Sequence, residues 1–74
     1  HVNLAFTHTD LGNTYSILGK VEDAREHLDR ALQLRRAALA PTDPLLATSL
    51  GNLARVYNMT GDLQQAAALL KQAL

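Results

Sequence analysis

The chain has 74 residues, seven basic and seven acidic side chains, and no Cys or Trp. That is one small domain at most, near the size at which a single core is only marginally stabilising. The balanced charge supplies no basic stripe for nucleic acid, and the missing Cys excludes disulfides and Cys-type zinc sites.

Apolar residues make up 47 % of the chain and aromatic residues only 4 %, so the core must be built from Leu and Ala. Leu4, Phe6 or His8, Leu11, Tyr15 and Leu18 recur at helical spacing and predict a first helix over about 2–18. Gly19 ends it, because Gly tolerates a left-handed C-terminal cap. A second helix follows over about 21–39, with Val21, Ala24, Leu28, Ala31, Leu32 and Leu39 on one side. Its polar side carries Glu22, Asp23, Arg25, Glu26, Asp29, Arg30, Arg35 and Arg36. Acids early and Arg35 and Arg36 late suit the helix dipole, and Glu26 and Arg30 are placed to pair at i, i+4.

Residues 41–43 form a connector. Asp43 is positioned to cap the next helix, and Pro44 fits its first position because the missing N–H would be unpaired there anyway. The third helix is expected over about 44–60. Gly61 repeats the role of Gly19. Asp62 is a natural N-cap, with Gln65 completing a capping-box pattern, and the fourth helix then covers about 62–74.

Sliding the chain against itself reveals a repeat. At an offset of 42 residues, nine of the 32 overlapping positions are identical, among them Leu11 with Leu53, Tyr15 with Tyr57, Gly19 with Gly61, Ala24 with Ala66 and Leu28 with Leu70. The matches are apolar or small and the polar positions vary. That is the pattern of a shared packing scheme under divergent surfaces. The units are two helix-turn-helix hairpins, 1–40 and 44–74. The fold expected is all-α, an α-solenoid fragment, and both ends read as cuts at repeat boundaries in a longer protein.

Leu11, Gly12, Tyr15, Gly19, Ala24, Leu28 and Ala31, and again Leu53, Ala54, Tyr57, Gly61, Ala66, Leu70 and Ala73, form an order that resembles the tetratricopeptide repeat. The 42-residue period and the stretch from Asp43-Pro44 to Ala54 are similar to the kinesin-light-chain type of that repeat. His8 and Leu50 stand where many repeats carry Trp, and Leu28 and Leu70 replace a common Phe.

The residues offer little for catalysis. Gly12 to Gly19-Lys20 has the wrong spacing for a phosphate loop and lacks the Ser or Thr after Lys. His1 and His8 could share a face, but His27 is on another helix and no carboxylate spacing supports the set, so no metal site is expected. Asp10 and His8 face different ways on one helix. Asn58-Met59-Thr60 matches an N-glycosylation triplet but reads as a plain helix end, since no signal peptide is present. Neither an enzyme nor a cofactor is expected, and without an 18-residue apolar run neither is a membrane partner.

The resemblance implies a concave face lined by the first helix of each hairpin. Carried over, the lining is Phe6, Thr9, Asp10, Asn13, Ser16 and Ile17 from the first unit, and Thr48, Gly51, Asn52, Arg55, Asn58 and Met59 from the second. Asn is a poor helix former, so Asn13 and Asn52 in mid-helix suit a role in hydrogen-bonding an extended peptide. Chaperone-type grooves of the family carry Lys where Thr9 and Thr48 stand, leaving Arg55 to meet an acid. The ligand implied is therefore a neutral or mixed peptide strand touching Phe6, Ile17 and Met59.

The function implied is a protein–protein interaction or scaffolding module, cytoplasmic, with a protein or peptide partner. The alternative is a structural or regulatory arm of a larger signalling or nucleotide-binding protein, with no free peptide ligand. Apolar residues at both ends, Val2, Leu4 and Phe6 against Leu63 to Leu74, further predict self-association through the terminal helices, by end-to-end stacking or helix exchange.

Overall fold

A computed structural model describes residues 2–73. His1 and Leu74, including the packing role expected of Leu74, lie outside the described residues. Four helices follow one another: α1 (Val2–Ile17), α2 (Val21–Ala38), α3 (Pro44–Met59) and α4 (Leu63–Ala73). The described residues contain no strand. α1 packs on α2 and α3 on α4, with α2 against α3 joining the hairpins and a light contact between α1 and α3. The result is a slab of 30 × 25 × 13 Å.

Both tight turns have the same construction. Gly19 and Gly61 adopt φ of +79° and +83°, a region open to Gly because it lacks Cβ. In the first turn the N–H groups of Gly19 and Lys20 donate to the carbonyls of Ser16 and Tyr15, at 3.1 and 2.8 Å. In the second, Gly61 and Asp62 donate to Asn58 and Tyr57, at 3.1 and 2.9 Å. Each pair of bonds satisfies the last carbonyls of a helix and aims the next helix back along it.

The helix starts follow the local chemistry. The carboxylate of Asp43 accepts from the Leu45 N–H at 2.9 Å, with Pro44 in the first turn. That of Asp62 accepts from the Gln65 N–H at 3.3 Å. In α2 the acids Glu22 and Asp23 open the helix and Arg35 and Arg36 close it. The ion pair found among the described residues is Glu22–Arg25 at 2.7 Å, an i, i+3 pair, and the expected Glu26–Arg30 pair is not made.

One continuous core runs through both hairpins. Ala24, Leu28 and Leu32 of α2, Leu46, Leu50, Leu53, Ala54 and Val56 of α3, and Ala66 and Leu69 of α4 form it, with Tyr15 and Tyr57 packed against it. Each fully buried Leu or Val contributes about 1.5–3 kcal/mol. The small residues bring helices close: at Gly12 a Cβ would lie 2.5 Å from Leu28 Cγ.

Arg35 departs from the sequence reading. Read as part of the polar side of α2, it is 1 % exposed. Its guanidinium crosses from α2 to α3, donating from Nη1 to Ser49 Oγ at 2.8 Å and to the Leu45 carbonyl at 3.2 Å. A pattern of apolar positions within one helix cannot reveal a charge whose partners lie on the next hairpin.

Candidate functional site

The candidate groove residues occupy corresponding positions on α1 and α3, and the structure divides them. Asn13 and Arg55 meet: Arg55 Nη2 donates to Asn13 Oδ1 at 2.9 Å. These two residues are 42 apart, so the bond joins equivalent positions of the two repeats. It ties the exposed sides of α1 and α3 and holds the guanidinium in place. Only one of the five N–H donors of Arg55 is used there, and the Asn13 amide keeps its NH2 donors. Asn52 lies half-buried on α3, one turn before the Arg55–Asn58 stretch, and Asp10 is exposed on α1.

Other members are committed elsewhere. Phe6 is partly exposed, but Arg35 lies over its ring, 5.0 Å from the centroid, so the ring lids the buried cation. Thr9 is buried, and its hydroxyl donates to the Ala5 carbonyl at 2.8 Å, a bond within its own helix. Thr48 likewise donates to the Pro44 carbonyl at 3.1 Å. Ile17 and Met59 stand at the exposed C-terminal ends of their helices, Ile17 being 86 % exposed. Ser16 Oγ is buried and has no hydrogen-bond partner. Arg55 and Asn58 also line a groove of about 420 Å³ between α3 and α4, floored by Ala54 and Ala66 and edged by Leu63 and Leu70.

A second polar cluster joins α1 to α2. His8 Nδ1 and His27 Nδ1 are 3.0 Å apart. Their rings stack at 5.2 Å, and Tyr15 stacks on His27 at 5.5 Å. An N–N hydrogen bond needs one ring to donate and the other to accept, so at least one imidazole is neutral. Burial, then the neighbouring His27 and Arg30 charges, push the His8 pKa below its ordinary value. The hollow beside the pair is lined by Glu26, Asp29, Arg30 and Gln33 as well. Among the described residues no three His, Asp or Glu groups converge to hold a metal ion.

The tetratricopeptide repeat model matches residues 3–74. The chain belongs to that family. Tetratricopeptide repeats are a non-catalytic, protein-interaction fold, and the four helices here are two of their hairpins. Over 71 residues the chain is 39 % identical to nephrocystin-3 of Xenopus laevis and, to the same degree, to nephrocystin-3 of Xenopus tropicalis. The match covers 96 % of this chain but only 6 % and 5 % of those proteins. None of the described helices is long and apolar enough to cross a membrane.

Two features of these tetratricopeptide repeats escape the sequence reading. His8 and His27 sit on separate helices 19 residues apart, and only the hairpin turn brings them together. A signal was present: at the 42-residue offset they fall on Leu50 and Leu69, two core positions. Polar residues in both apolar slots of one hairpin imply that they meet each other. Arg35 had no comparable signal, because its counterpart would fall past residue 74.

Proposed function

We propose that the chain is a protein-binding module that takes an extended peptide segment across the exposed sides of α1 and α3. The Asn13–Arg55 hydrogen bond carries this reading. It holds a guanidinium with unused donors beside the Asn13 and Asn52 amides, a set able to satisfy backbone carbonyls or one acidic side chain of a ligand. Apolar contact would come from Ile17 and Met59, both well exposed. Thr9 and Thr48 spend their hydroxyls on their own helices, which speaks for a neutral or mixed strand over a terminal carboxylate. The expected setting is the cytoplasm. The 18-residue α2 and the 42-residue period support the long, kinesin-light-chain-like type of repeat.

The test is a peptide-array screen, followed by calorimetry on a selected peptide with the chain and its Arg55→Glu/Asn52→Ala variant. Affinity should fall at least about tenfold, or about 1.4 kcal/mol, with helicity unchanged. Unchanged affinity would remove this face from the reading.

A second reading is a structural or regulatory arm of a larger signalling or nucleotide-binding protein. It is compatible with a match that spans only 6 % and 5 % of the nephrocystin-3 chains, which leaves room for other domains in those relatives. On that reading the same face packs against a neighbouring domain.

A further inference from the structure

Arg35 is a buried charge without an anion. It is 1 % exposed, and both of its hydrogen bonds leave from Nη1, to the neutral Ser49 hydroxyl and Leu45 carbonyl. Among the described residues Nε and Nη2 have no acceptor. No carboxylate among those residues pairs with the cation. The ion pair they form is Glu22–Arg25, and Asp43, two residues before Leu45, spends its Oδ1 on the Leu45 N–H. Burial penalises a charge that nothing offsets, and a buried donor without an acceptor is rare in folded proteins.

The unused atoms are the ones a carboxylate fits. Nε–H and one N–H of Nη2 point the same way along one edge of the planar guanidinium, and that edge can donate two parallel bonds to two carboxylate oxygens. Ser49 and Leu45 hold the Nη1 end, so the edge is already oriented. Over the cation lies Phe6, its ring centroid 5.0 Å from Cζ, yet the residue is 47 % exposed. Its ring can turn aside by a change of rotamer, with no movement of the backbone. Phe6 and Asn13 are seven residues apart, so they share one side of α1, about 10 Å apart along the axis. The lid therefore opens onto the face where Arg55 meets Asn13.

We propose that the Nε/Nη2 edge of Arg35 is a carboxylate site closed by Phe6, and that it takes an acidic side chain of a peptide lying across α1 and α3. The site rests on the peptide-binding reading and gives it a preference, an acid about 10 Å from the Arg55 contact.

Nitrogen–proton spectra of the arginine Nε–H groups test this on the whole chain. The probes are Ala-Glu-Ala and Ala-Gln-Ala, each capped at both ends, and an acetylated Ala-Ala-Ala with a free C-terminus, at up to about 20 mM. The Arg35 Nε–H signal should move with the Glu peptide and stay still with the Gln peptide. Phe6→Ala removes the lid and should tighten binding of the Glu peptide about two- to fivefold, because the ring no longer competes for the cation. Arg35→Lys keeps the charge but loses the fork, and should erase the preference for Glu over Gln, followed at the Ser49 amide. Circular dichroism checks both folds; if Arg35→Lys unfolds, the Nε–H signal and Phe6→Ala decide alone. A silent Arg35 in the wild type and in Phe6→Ala overturns the proposal, and so does a response to the free C-terminus alone. A response of the Arg55 Nε–H in the same spectra would then show that the peptide face stands without Arg35.

Discussion

The two hairpins share a frame and differ in what closes it. In the first, Leu28 packs beside Gly12 and into the core shared with α3 and is 1 % exposed; in the second, Ala54 stands at the Gly12 position and Leu70 is 51 % exposed. The first joins its helices through His8 and His27, and the second through Leu50 and Leu69 at the same positions. The glycine turns repeat closely, whereas the helix starts that follow them differ: Asp62 caps α4 with its carboxylate, and Lys20 at the equivalent place makes no side-chain cap on α2. Contacts between helices vary, because several side-chain pairs can fill the same gap.

The comparison breaks most sharply at the paired leucines. Leu28→Ala should cost about 2–5 kcal/mol, the range for emptying a tight core, while Leu70→Ala should stay within about 0.5 kcal/mol. Urea denaturation reads both, and equal losses would mean that the hairpins are packed alike. The glycines should separate in sign. At Gly12 an added methyl meets buried Leu28 Cγ and, at 3.2 Å, the Ala24 carbonyl, so Gly12→Ala carries about 1–3 kcal/mol of overpacking that outweighs its gain in helix propensity. A Cβ at Gly51 has nothing within 4 Å, so Gly51→Ala should stabilise by about 0.5–1 kcal/mol. Shifts of the same sign in thermal melts would show that Leu28 can yield.

At the turns the hairpins should behave alike. Gly19→Val and Gly61→Val each force a β-branched residue to positive φ with no neighbour to meet, and each should cost about 1–2 kcal/mol. A large difference between them would mean that one turn relaxes.

The smallest effect is the most specific to the first hairpin. The folded state holds His8 below its ordinary pKa, so as acid is added the unfolded chain takes up the proton first. Stability from the neutral pair is full above the ordinary value of 6.5 and is lost as pH falls below it toward the lowered folded pKa. The double variant His8→Leu/His27→Leu copies the second hairpin and should flatten this part of the curve. A slope unchanged in the double variant would assign the dependence to other groups.

Much of this fold was legible because its signals are local. Gly19 and Gly61 mark turns by backbone preference alone, Asp43-Pro44 marks a helix start by its own hydrogen bonding, and Ala24, Leu28 and Leu32 mark a buried side by spacing. The candidate face was less legible. The register brought Asn13 and Arg55 to equivalent places, but their bond depends on how one hairpin leans on the other. Thr9 was assigned outward although it turns its hydroxyl back to Ala5. Phe6, expected to touch a ligand, is part exposed and also covers Arg35 with its ring, a second contact that its own helix does not announce. Side-chain commitments of that kind are made between elements, and periodicity within one element does not encode them.

Arg35 bears on how the hairpins find a single alignment. A surface of Leu and Ala looks much the same after a shift of one helical turn, about 5.4 Å, so apolar burial alone discriminates poorly between α2 and α3 in neighbouring registers. Leu45 and Ser49 lie one turn apart, and Arg35 reaches the carbonyl of one and the hydroxyl of the other from a single nitrogen. Slipped by a turn, the buried cation would lose at least one of these acceptors. Its Nε already lacks a hydrogen-bond partner, so little is left to compensate. The desolvated charge thus acts as an alignment key: it makes misregistered packing costly, whether or not it adds to the stability of the correct one.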